Sequence, residues 1–117
     1  MTILEYMKDN ILYLDGGMGT LLQEAGLPPG ELPERWNISN SQVVQDLHRL
    51  YYDAGSNVVN TNTFGANGLK FSDDELAEIV KAAVCSQRCF PWLAGKIYRP
   101  GHRSLRKTAQ ALRRSGF

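Results

Sequence analysis

The sequence predicts an α/β fold in which strands and helices alternate, β-α-β-α. Two short β-prone runs, at 11–15 and about 57–62, each break into a polar, glycine-containing loop. Each is followed by a helix-patterned stretch, at 41–54 and 73–84, and both connections are long enough for parallel crossovers.

Residues 2–9 read as a short helical lead-in. Ile11-Leu-Tyr-Leu-Asp15 reads as a buried strand ending in a carboxylate, and Gly16, Gly17 and Gly19 follow at once. Glycine lets a backbone approach a ligand closely, and α/β folds place their binding residues at the carboxyl ends of strands. Asp15 is therefore the first candidate site residue.

Thr20 to Ala25 is a helical turn or two closed by Gly26, and three prolines make 27–33 a loop. Asn40 or Ser41 caps the next helix. Val43, Val44, Leu47, Leu50, Tyr51 and Ala54 form its apolar face, and Gly55 ends it. The second strand breaks into Thr63, Phe64 and Gly65. Ser72 to Glu75 is a capping box opening a helix whose apolar face is Leu76, Ile79, Val80 and Ala83.

The formal charge of +1 hides an asymmetry. Residues 1–84 hold all twelve acids and five Lys/Arg, whereas residues 85–117 hold eight Lys/Arg and no acid. The helical and strand periods also stop there, and a third strand due after Val84 is missing. Regrouping codons that permit Arg99 to Phe117 by one base allows ALDIGPSGKLLKPLGDLD, and KYI just before it. KYIALDIGP has the form of that missing strand, so 85–117 is expected to be out of frame and poorly ordered.

No run of 18 apolar residues and no signal-like segment occurs, so a cytoplasmic protein without a membrane span is expected. Cys85 and Cys89 are spaced C-x-x-x-C, which suits neither a zinc knuckle nor a redox pair. The GGMGT loop lacks the spacing of either phosphate-binding glycine motif. Trp36 and Asn37 read as structural, and His48 as a packed or surface histidine rather than a ligand.

LDGGMGT, GELPERWN, the helix ending YYDAGSNVV, and TNTFGAN occur in this order over about residues 8 to 71. Together they resemble the start of the homocysteine-binding methyltransferase domain, and TNTFGAN points to its methionine synthase branch. The helical stretch to Val84 fits less distinctively, and nothing beyond it resembles the family. The resemblance implies the first β-α-β-α portion of a (β/α)8 TIM barrel at 1–84. Such a barrel needs about 250 residues, so this chain is expected to hold a truncated one.

It also implies a substrate pocket. Asp15 would accept hydrogen bonds from the amino group of homocysteine, and the Gly16 and Gly17 N–H groups would face its carboxylate. Thr63 and Phe64 would line the same pocket. The family's zinc is held by cysteines of G-x-N-C and G-G-C-C motifs, which this chain lacks. Zinc there makes the homocysteine thiol a thiolate. No catalytic residue, no metal ligand and no cofactor are therefore expected in this chain. Zinc, and cobalamin on further domains, belong to the intact enzyme. The expected function is part of a homocysteine S-methyltransferase that forms methionine in the intact enzyme, and inactive alone. The rival class is a nucleic-acid-binding protein acting through the basic 85–117 stretch, whose aromatics Phe90, Trp92 and Tyr98 are not interleaved with the Arg cluster at 103–114.

Overall fold

A computed structural model describes residues 2–88. Its five helices are α1 (Ile3–Asp9), α2 (Gly19–Glu24), α3 (Trp36–Ser39), α4 (Ser41–Ala54) and α5 (Asp73–Arg88), with a 3-10 turn at Pro33–Arg35 leading into α3.

Local chemistry sets the helix ends. Thr2 and Glu5 close a reciprocal capping box on α1. Gly26, at φ +107°, stops α2. Pro33 opens the 3-10 turn, where its missing N–H costs nothing. The turn and α3 together make a helical segment at 33–39 that the sequence reading did not foresee. Asn40 precedes α4 without a side-chain cap bond. At the far end Gly55 takes φ +112°, its N–H donates to Tyr52, and Ser56 N–H donates to Tyr51. This is a Schellman closure. Ser72 caps α5 by accepting from Glu75 N–H, while the Glu75 carboxylate pairs with Arg35 at 3.1 Å.

Leu22, Leu27, Trp36, Val44 and Leu47 form the main core, with Met18, Leu21 and Val43 packed against it. Tyr52 and Val59 form a second buried cluster. Burying a side chain such as Leu22 or Val44 stabilises by about 1.5–3 kcal/mol. α5 contributes Ile79 and Ala83, both fully buried, and packs on α3 and α4.

Three expectations need correction. Leu50 and Val80 are about 40% exposed, and His48, not Leu50, completes the buried stripe of α4. The buried stripe of α4, at Val44, Leu47, His48 and Tyr52, is narrower than the sequence count suggested.

The expected strands at 11–15 and 57–62 are not formed as strands among the described residues. They meet in one parallel bridge between Leu14 and Val58. Asp15 N–H donates to Val58 O, while Asn57 and Val58 N–H both donate to Tyr13 O. The Asn57 side chain also accepts from Tyr13 N–H at 2.8 Å. Nor is the run at 11–14 buried: Ile11, Tyr13 and Leu14 are each more than half exposed. Parallel strands are stable when both faces are covered and both edges paired, and a two-stranded pair is marginal.

Candidate binding cleft

The Leu14–Val58 bridge fixes the site. By bonding Asp15 N–H to Val58 O, it brings the end of the first run beside the residues after the second. A cleft of about 560 Å³ opens there between the glycine loop at 15–19, the 33–34 turn and the 60–64 segment. Asp15, Gly16, Gly17, Thr63 and Phe64 all line it, so one cleft gathers every residue named from the sequence.

The half-buried Asp15 carboxylate is held by one residue. Asn60 N–H donates to Oδ2 at 3.0 Å, and Asn60 Nδ2 donates to Oδ1 at 2.7 Å. Gly16 and Gly17 are exposed. Tyr51 reaches from α4 and donates its hydroxyl to Gly17 O. A Cβ on Gly16 would lie 3.1 Å from that hydroxyl, a tight fit in which Tyr51 must give by a few tenths of an ångström. Thr63 shares a 2.7 Å hydroxyl contact with Thr61. Phe64 stands fully exposed at the rim.

Asn60 and Glu34 are among the lining residues missed from sequence. Asn60 sits in the N-T-N-T-F run, where several amides at a strand end were a visible signal. Glu34 lies in the Pro33–Arg35 turn, inside the GELPERWN motif, but its contact with the distant Gly65 is not readable from local sequence. Glu34 is buried, and its Oε1 accepts from Gly65 N–H at 2.6 Å, fixing the loop after Phe64. A Cβ on Gly65 would fall 2.5 Å from that oxygen. Beneath the loop, Asn37 donates to Asn62 O and Asn62 donates to Pro33 O. The structural reading of Trp36 and Asn37 matches their burial.

The site's electrostatics extend into α4. Burial pushes the Tyr51 and Tyr52 hydroxyls up, and the Asp15 charge adds to this. Burial holds the His48 imidazole below its ordinary value, against an upward pull from Asp15.

The model of the homocysteine S-methyltransferase family matches residues 12–90. The chain belongs to the homocysteine S-methyltransferase family. It is 33% identical over 85 residues to methionine synthase of Mycobacterium leprae (strain TN), and 32% identical over 85 residues to methionine synthase of Mycobacterium tuberculosis (strain ATCC 25618 / H37Rv). Each match covers 68% of this chain and 7% of the relative, so the chain spans a small part of its curated relatives' length.

The family match runs past the boundary expected at residue 84, and α5 continues to Arg88. The rest of the 85–117 stretch, Cys89 and the basic cluster included, lies outside the described residues. The nucleic-acid reading gains no support from either relative. No group of three His, Cys, Asp or Glu among the described residues can hold a metal ion, and no helix among them is long and apolar enough to cross a membrane.

Proposed function

We propose that this chain is the amino-terminal portion of a methionine-synthase-type homocysteine S-methyltransferase, and that its cleft holds the amino-acid end of homocysteine. One observation carries the reading. In a member of this family, the glycine loop and the Thr63-Phe64 segment converge on one cleft beside a parallel bridge.

Asp15 receives the substrate ammonium, since a carboxylate has about four acceptor sites and Asn60 uses two. The backbone N–H groups of Gly16 and Gly17 receive the substrate carboxylate. Thr63 and Phe64 form the wall along the side chain. The intact enzyme is a (β/α)8 barrel that transfers a methyl group to homocysteine in the cytoplasm, giving methionine.

Zinc does not fit the residues described. No group of three His, Cys, Asp or Glu among them can hold a metal ion, and Cys85 is exposed on α5. In this reading, zinc and cobalamin belong to parts of the intact enzyme beyond these residues, and this chain alone does not transfer methyl groups. The 85–117 stretch is read as an out-of-frame continuation, and the end of the family match at residue 90 supports a break near there.

The reading is tested by titrating the isotope-labelled chain with L-homocysteine. Weak binding should move the Gly16, Gly17 and Thr63 amide resonances and leave those of α1 in place. Asp15→Asn should abolish the shifts. Shifts that persist in that variant would remove the cleft from the proposal.

A further inference from the structure

We propose that Asn60 is a positioning residue: it grips both oxygens of the Asp15 carboxylate with uncharged donors and thereby holds that group oriented for a primary ammonium without neutralising it. The ammonium half of this statement rests on the function proposed above. The grip itself rests on geometry alone.

An aspartate carboxylate turns on a broad terminal torsion, so by itself it presents its lone pairs in many directions. Here the two oxygens are held separately. The backbone N–H of Asn60 takes Oδ2 at 3.0 Å, and the side-chain amide of the same residue takes Oδ1 at 2.7 Å. Rotating the carboxylate breaks both bonds together. The bridge pairing two residues upstream, at Val58, supplies the register that brings Asn60 to Asp15 across 45 positions of chain.

The kind of donor matters as much as its place. A lysine or arginine here would neutralise the carboxylate and compete with an incoming cation. Neutral amide donors hold it in place and leave its full charge for a charge-assisted bond, which is the stronger kind. Two acceptor sites remain on the carboxylate, and Asp15 and Asn60 both line the cleft. This arrangement selects a ligand bearing a primary amine over the same molecule without one.

The full-length labelled chain provides the test, in two arms. In the first, Asp15→Asn should shift both the backbone and the side-chain amide resonances of Asn60, and Asn60→Ala should shift the Asp15 carboxyl carbon. In the second, the chain is titrated with L-homocysteine and with 4-mercaptobutyrate, which lacks the amine. Asn60→Ala should weaken the first by about threefold to tenfold and leave the second unchanged. Asn60→Asp, which sets a like charge against Asp15, should weaken the first further. Asn60→Ser serves as a second neutral variant should the alanine form fold poorly.

Equal losses for both ligands would mean general loop damage and overturn the positioning role, as would no loss for either. If the unaltered chain binds neither compound, the function proposed above fails separately. The grip is then decided by the first arm, and Asn60 resonances unmoved by Asp15→Asn would overturn it.

Discussion

The Tyr51 hydroxyl donates to the Gly17 carbonyl and lies 3.1 Å from where a Cβ on Gly16 would stand. One α4 side chain thus holds the glycine loop and crowds the space beside Gly16. The loop at the cleft is held from behind by a helix that contributes no lining residue of its own to that cleft.

Tyr51→Phe should therefore cost about 0.5–1.5 kcal/mol in urea unfolding, the net worth of one hydrogen bond. Gly16→Ala should cost less in the Tyr51→Phe background than in the native chain, because the removed hydroxyl is the nearest atom to the new methyl. Strict additivity of the two changes would show that the contact does not restrict Gly16.

Core and bridge positions should respond differently to truncation. Leu22→Ala, at a site with no exposed surface, should destabilise by about 2–5 kcal/mol. Leu14→Ala, 62% exposed although it forms the bridge, should cost less than about 0.5 kcal/mol. Backbone bonds make the bridge, and a smaller side chain keeps them. Similar losses at the two positions would mean that Leu14 is covered in solution.

This contrast marks what the sequence made legible. Helices α2, α4 and α5 were visible because their signals are local: Gly26 and Gly55 at the ends, and an apolar period within α4. Asp15 and its glycines were visible because a strand followed by an acid and glycines is also a local pattern. The segment at 33–39 was hidden by Pro33, since a proline can equally open a helical turn or break one. The burial of His48, the exposure of Leu14 and the Asn60 grip depend on what lies 30 or more residues away, and no period encodes that. The strands illustrate the same limit, because β propensity marks residues able to pair and is silent on whether neighbours are present to cover them.

The charge break leads to a prediction about the gene. A one-base insertion or deletion should lie near the codons for residues 84 to 90, where the family match ends. The alternative frame downstream should encode KYIALDIGP and continue into further strand-and-helix units. Direct sequencing of the locus checks this, and stop codons in every frame soon after codon 90 would exclude it.

His48 makes stability depend on pH in a definite direction. The side chain is fully buried in α4, neither ring nitrogen has a hydrogen-bond partner among the described residues, and burial lowers its pKa from the ordinary 6.5. The unfolded chain therefore binds a proton at His48 at a higher pH than the folded chain does. The stability contribution is complete above about pH 6.5 and is lost as pH falls toward the folded value. The slope cannot exceed about 1.4 kcal/mol per pH unit for one proton. Asp15 opposes the shift, so the loss is smaller than burial alone would give. Urea midpoints at about pH 7.5, 6.5 and 5.5 stay above most carboxylate titration and isolate this group. They should fall across the series, and in His48→Met, which removes the titrating ring and its two unpartnered nitrogens, the fall should flatten. A midpoint that rises toward pH 5.5 in the native chain would mean that His48 is charged in the fold and paired with Asp15, the reverse of the balance between burial and attraction derived for this site.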